Sequence, residues 1–419
     1  MGAGQQGVVW AVRPGVVGGV AARLRLRSEL RPSLRLRRPA TPLEYRCQGD
    51  SSKSVNRVTF LFRYNTGIKN GETRNIHSYK MSLLLFGVNT MKAWLLTKIG
   101  GLENLHLTEI SNPLPGTQDV LMEVVYSALN PADRYLAEGQ YPARPHLPHI
   151  LGRDGVGRIV AIGEKVQGWK VGDTALLIRG PVGVQQAGTF AYQTVVPGEC
   201  LAKPPHKWTL QQCAGASLVY LTAWQALTQW GELAPSVVLV TGASGGVGVA
   251  SIQLAQALGH TVVALSRNTE KRRRLSEMGV KITLDPANTQ WRKELLVLLA
   301  GKRVDLAVDN IGGAQFSQLL DVMGMWGKIS VVGRLAGPVP QFNTASLFFR
   351  RLRIGGVAPG NFTAAEARIA WKTVLKLLSR RDDRPVIDSV FDFDQLPQAF
   401  ARLACGPMGK VLLRVAGEQ

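Results

Sequence analysis

The chain has 419 residues, 45% of them hydrophobic and 19% charged, a length for two or three domains and a balance that excludes bulk disorder and collagen-like repeats. Its formal charge of +21 would suggest a nucleic-acid partner, but residues 1–90 hold 15 Lys and Arg against 4 Asp and Glu, so about half of the excess belongs to a basic tail. That split argues against nucleic acid, and four cysteines with no C-x-x-C pair (Cys47, Cys200, Cys213, Cys405) fit a reducing compartment better than a disulfide framework.

Residues 1–90 carry the arginine-rich, acid-poor run from Arg23-Leu-Arg-Leu-Arg to Arg37-Arg38-Pro39. They read as a disordered extension, or as sequence upstream of a start at Met91, which opens a far better-patterned segment; the chain is then cytoplasmic. The alternative is an organelle transit peptide and a mitochondrial location. From Met91 to about Ala214 short strands are broken by Gly and Pro, with Val120–Tyr126, Arg158–Ile162 and Thr174–Ile178 the clearest. Frequent turn punctuation between short strands predicts a barrel-like β domain. From Ser236 the rhythm becomes strand, helix, strand, helix. Val237–Val240, Thr261–Leu265, Lys281–Leu284, Asp305–Val308 and Lys328–Val332 alternate with helix-length segments such as Asn268–Met278 and Thr289–Ala300, which predicts a doubly wound parallel sheet. The uncharged window Leu233–Ser266 is not a membrane span, because its glycine-rich turn would leave backbone groups unpaired in lipid.

That turn carries the chemistry. Val237–Val240 feeds Thr241-Gly242-Ala243-Ser244-Gly245-Gly246-Val247-Gly248, and Val247, Ala250, Leu254, Ala255 and Leu258 then share one helical face. Strand, glycine turn and helix, followed by four more βα units, form the context of a dinucleotide site. The backbone comes close to a pyrophosphate, whose charge sits on the free N–H groups of the helix start. Gly245, Gly246 and Val247 are the candidate pyrophosphate contacts. Where an NAD site usually places an acid on the ribose 2′-OH, this chain has Ser266-Arg267-Asn268 with Lys271 one turn later. Ser266, Arg267 and Lys271 suit a 2′-phosphate, so NADPH is the expected cofactor.

With these motifs in place, residues 91 to about 415 resemble the medium-chain dehydrogenase/reductase superfamily, in its zinc-free quinone oxidoreductase branch. Gly152-Arg153-Asp154-x-x-Gly157, Ile162-Gly163-x-x-Val166, Gly172-Asp173, Gly188-Thr-Phe190-Ala191, Leu221-Thr222-Ala223 and Gly409-Lys410-Val-Leu-Leu413 carry the resemblance. It implies a GroES-like substrate domain over 91–215, completed by about 356–419, and a Rossmann NADPH-binding domain over 216–355. It also implies cofactor contacts at Thr222, Asn310, Gly333 and Lys410. Asn130 and Arg153 stand where zinc-dependent relatives carry a cysteine and a histidine ligand, and an amide and a guanidinium do not hold zinc. Asn130-Pro-Ala-Asp133-Arg-Tyr135 and Gly139-Gln-Tyr141 resemble the branch's substrate loop. Hydride would then pass directly to a quinone, enone or enal, with Asn130, Tyr135 and Tyr141 orienting the acceptor or donating to its developing oxyanion. Arg153 would bind an anionic substrate or pair with Asp154 or Asp133.

Two other readings stay open at this point: an enoyl-thioester reductase of the same superfamily, and a non-catalytic NADPH-binding redox sensor or RNA-binding protein. The expected partner is a small electrophilic substrate, with no membrane. Leu352–Val357 could supply the edge strand of a homodimer.

Overall fold

The computed structural model describes residues 90–417 in full, together with the backbone of the strands Tyr45–Cys47, Val55–Asn65, Ile68–Lys69, Glu72–Thr73 and Ile76–Phe86. The expected disordered extension or transit peptide over 1–90 lies largely outside the described residues. Residues 1–87 form one unit and residues 88–419 another. Everything that follows concerns the second.

Its nucleotide-type sheet is wholly parallel. The strands lie in the order Ile282–Leu284, Thr261–Leu265, Val237–Val240, Val304–Asp309, Met323–Val331, Arg353–Gly356. In chain order this is 3-2-1-4-5-6, the doubly wound arrangement in which the strand order reverses beside the first strand. The central strand is apolar on both sides for a reason that its neighbours make plain. Val237 and Leu239 join one buried cluster with Trp291, Leu295 and Leu319, while Val238 and Val240 join another with Leu254, Trp371 and Val374. With helices on both faces, each buried valine contributes roughly 1.5–3 kcal/mol.

The second sheet is built from Leu201–Ala202, Thr174–Leu177, Gly155–Ile162, Asp119–Ala128, Lys410–Arg414 and Ile387–Asp392 in that order, with Gln193–Pro197 also paired to Asp119–Ala128. Phe190, Leu129, Met122, Leu177 and Leu413 fill its core. Lys410–Arg414 runs antiparallel to Asp119–Ala128, with Leu412 opposite Ala128. The C-terminal return is therefore divided. The helix Ala364–Ser379 buries Ala367, Trp371, Val374 and Leu378 against the nucleotide domain, whereas the strands after it and the helix Leu396–Ala404 enter the β-rich domain. The apolar stripe of that helix needs a helix to pack on, and the helices Ser217–Thr228 and Gly246–Ala257 supply it. No helix among the described residues is long and apolar enough to cross a membrane.

One stitch joins the two halves. Gly409 donates its N–H to Ser244 O at 2.8 Å, and Gly409 bridges Gly245. Gly409 sits at φ +88°, and a Cβ there would fall 2.0 Å from Val386 O, so only glycine lets the C-terminal strand enter beside the glycine turn.

Candidate active site

The crevice at the carboxyl ends of the strands is held open by a buried acid that sequence reasoning did not single out. Asp309 accepts from Thr241 Oγ1 at 2.7 Å, from Ile311 N at 3.1 Å and from Gly312 N at 3.2 Å. Asn310 donates through its N–H to Thr241 Oγ1 at 2.9 Å and through Nδ2 to Thr241 O at 2.8 Å. Its Oδ1 stays buried with no partner. Gly333 closes the same corner, its N–H on Asp309 O at 3.2 Å. The glycine turn follows, with Gly245 as the residue before the helix Gly246–Ala257. At Gly248 a Cβ would lie 2.4 Å from Gly242 O, so the turn can pack this tightly only without a side chain. Free N–H groups at the start of a twelve-residue helix, a bare glycine approach and an orphaned amide oxygen fit a dinucleotide.

At the end of the second strand Ser266 is buried, and its carbonyl accepts from Arg272 Nη1 at 2.7 Å; the same nitrogen reaches Asp285 Oδ2 at 3.1 Å. Arg272 is thus structural. Asn268 caps the helix Thr269–Glu277 by accepting from Lys271 N at 3.0 Å. Lys271 directs its Nζ to Gly406 O, and burial, with Arg402 and Arg267 nearby, holds its ammonium below the ordinary lysine value despite Asp388. Arg267 is exposed and makes no hydrogen bond among the described residues.

The floor of the site is a network of two buried ion pairs. Asp154, fully buried, accepts from Ser217 Oγ at 3.0 Å and Leu218 N at 3.2 Å through Oδ1. Its Oδ2 accepts from Asn130 Nδ2 at 3.0 Å and Lys410 Nζ at 3.2 Å. Lys410 also donates to Asn130 Oδ1 at 2.6 Å. The amide orientation is fixed by its neighbours, since the opposite one would set N–H against ammonium. Asn130 Nδ2 spends its other hydrogen on Ala128 O at 3.3 Å. Both amide hydrogens of Asn130 are thus engaged within the network. Thr222 likewise turns its hydroxyl to Leu218 O at 2.6 Å within its own helix.

Beside this network Arg153 pairs with Asp133 at 3.0 Å, which decides between its two expected partners, and donates to Ala132 O at 3.2 Å. Burial pushes the Asp133 carboxyl up, while Arg153 and the Asn130 N–H pull against it. The Arg153 guanidinium lies 4.8 Å from the centroid of the Tyr141 ring. Tyr135 faces the other domain, with Arg334 at 5.0 Å from its ring centroid. Arg334 also donates to Gln140 O at 2.9 Å, tying the loop after Met323–Val331 to the loop that carries Tyr141. Burial raises the Tyr135 phenol above its ordinary value, with Arg334 opposing. Arg334 and Ser217 carried no sequence signal, because nothing local marks an arginine or serine that meets residues far away in the chain.

A zinc ion does not fit this floor. Its nearest carboxylates are committed to Lys410 and Arg153, and Cys213 is a thiol in an apolar cluster, pushed up by burial to about 12. Among the described residues no group of three His, Cys, Asp or Glu side chains could hold a metal ion.

A parallel nucleotide sheet whose crevice opens onto a β-rich second domain defines a two-domain oxidoreductase that takes a nicotinamide cofactor. Family models match in both parts: the alcohol dehydrogenase GroES-like domain over residues 116–206 and zinc-binding dehydrogenase over residues 246–380. The quinone oxidoreductase of Lama guanicoe is 28% identical over 331 residues, covering 78% of this chain and 98% of that protein. The human synaptic vesicle membrane protein VAT-1 homolog is 27% identical over 347 residues, covering 77% and 86%. Among solved structures, the quinone oxidoreductase of Pseudomonas syringae pv. Tomato DC3000 superposes with a TM-score of 0.71 at 25% identity, covering 78% of this chain and 100% of that one. An NAD-dependent alcohol dehydrogenase superposes with a TM-score of 0.72 at 27% identity, with the same coverage. The chain belongs to the medium-chain dehydrogenase/reductase superfamily, in its quinone oxidoreductase-like branch.

Proposed function

We propose that the protein is an NADPH-dependent, metal-free reductase of quinones or activated alkenes. The observation that carries this reading is the floor beside the glycine turn, where an amide, a lysine and two paired carboxylates fill the space in which a metal would need thiolate or imidazole. The reduced nicotinamide, when bound, supplies a hydride equivalent to an electron-poor carbon. The chain's own residues do the rest. Asn130 and Lys410 shape the wall at the reacting end. The tyrosines of the mouth offer hydroxyl donors to the acceptor oxygen, as phenols do at neutral pH. Ser266 and the unpaired Arg267 support a 2′-phosphate, with Lys271 drawn partly away toward Gly406.

The chain oxidising NADPH with simple quinones or enones, faster than NADH, is the expected result; cofactor binding without turnover on any acceptor would favour a sensor instead. We also propose that a second copy pairs at Arg353–Gly356. Among the described residues this strand is hydrogen-bonded on one side only, with Ile354, Phe348 and Phe349 exposed around it.

A further inference from the structure

We propose that Asp154 is a positioning residue that holds the Asn130 amide and the Lys410 ammonium in one arrangement beside the glycine turn. The inference rests on the nicotinamide-site reading above and adds to it the residue that sets the geometry of that end. Four donors from three distant segments end on this one carboxylate: Asn130 after the strand Asp119–Ala128, Lys410 at the start of the C-terminal strand, and Ser217 with Leu218 at the start of the helix that carries Thr222. Its backbone carbonyl takes more, from Ser127 Oγ at 3.1 Å and Thr189 Oγ1 at 2.8 Å.

The stem of Lys410 explains why the head must be fixed. A Cβ at Gly246 would lie 2.9 Å from Lys410 Cδ, and one at Gly215 would lie 3.2 Å from its Cβ. The side chain is threaded between the glycine turn and the segment before the helix Ser217–Thr228, so its ammonium has one place to go. The charged groups facing it there are Asp154 in contact and, one layer away, Asp133 with its partner Arg153. Asp133 is already neutralised by Arg153. Asp154 is then the counter-ion that keeps a buried ammonium charged, and a charged Lys410 is what holds Asn130 Oδ1.

Asp154→Asn tests this, because an amide must aim a donor at one pair of these donors and supplies no charge. We expect kcat/KM for NADPH to fall roughly 100-fold, the scale of a site misplaced by about 1 Å. A new loss of activity should also appear toward alkaline pH, because burial without a counter-ion favours the neutral amine. Lysine side-chain 15N NMR, with Lys410 assigned from Lys410→Met, reads the same titration without turnover. The Lys410 resonance should change to that of the neutral amine at lower pH in Asp154→Asn than in the parent chain. Ser217→Ala removes a donor outside the reacting end and should lower the melting temperature while keeping the parent pH profile. Asp154→Asn combined with Lys410→Met removes both charges, leaves no unpaired buried charge to oppose folding, and should match Lys410→Met alone.

A folded Asp154→Asn with the parent pH profile and an unshifted Lys410 titration would overturn the inference, as would Ser217→Ala reproducing the new alkaline limb. A parent chain that fails to oxidise NADPH with any acceptor defeats the functional reading instead; the NMR titration still decides whether Asp154 sets the charge of Lys410.

Discussion

Asn130 illustrates how little a side chain's type fixes its role until its partners are known. An amide at the reacting end looks like a donor, yet both its hydrogens go to Asp154 and Ala128 and its oxygen is taken by Lys410. In the proposed reaction, donation then falls to the tyrosines of the mouth. Tyr135→Phe should lower kcat about 100-fold while leaving NADPH affinity unchanged by fluorescence titration; an unaltered kcat would remove Tyr135 from the chemistry. At the crevice, Gly248→Ala drives a Cβ into Gly242 O, backbone that cannot yield without opening the turn. NADPH affinity should drop by about tenfold or more on the same titration, a loss of ~1.4 kcal/mol, and undiminished binding would show that the turn does not hold the cofactor. Two buried histidines give the protein an acid limit. Burial holds His149 below the ordinary imidazole value against a hydrogen bond with Gly183, and holds His260 there against the pull of Asp305. The unfolded chain takes up protons near pH 6.5, the folded chain only at lower pH. Stability from these groups is complete above about pH 6.5 and is lost as the pH falls through the folded values. The melting temperature should fall between about pH 7 and pH 5, less steeply in His149→Leu; parallel curves would contradict this.

Among the elements, those with a repeating pattern were legible and those joined by single contacts were not. Val237–Val240 and Thr261–Leu265 stand where their β-branched runs predict, because a strand buried on both faces can only be apolar throughout. The helix expected over Asn268–Met278 spans Thr269–Glu277, its first residue spent as the cap. The C-terminal return was legible in direction but not in its division, since Ala364–Ser379 reads as an amphipathic helix whichever domain it serves. Arg334 was not legible at all. It crosses from the loop after Met323–Val331 to Tyr135 and Gln140, a clasp between elements far apart in sequence. Losing a cation–ring contact of ~1 kcal/mol, Arg334→Ala should raise the acceptor KM about three- to tenfold without changing NADPH affinity. A KM that does not move would show the clasp to be idle. The open edge Arg353–Gly356 gives an element-level test of assembly. Ile354→Lys should convert a dimer to a monomer in gel filtration, and a parent chain that elutes as a monomer would end that proposal.

At the scale of the molecule, function lives where two independently readable halves meet. Each half has its own pattern: glycine-punctuated short strands in one, strand–helix alternation in the other. The candidate site is built from pairs that no local pattern encodes, such as Lys410 with Asn130, 280 positions apart, and Lys410 with Asp154, 256 apart. The proposed 2′-phosphate site at Ser266 and Arg267 rests on composition at the end of one strand, which a sequence displays. The draw of Lys271 toward Gly406 was not legible, because it comes from the far end of the chain. The same site joins cofactor choice to acceptor choice, and one experiment addresses both. Steady-state rates for a panel of quinones and enones with NADPH and NADH in parallel, before and after exhaustive chelation, should show turnover that favours NADPH and is indifferent to the chelator. Turnover that favours NADH, or that disappears with the chelator and returns with zinc, would contradict the account.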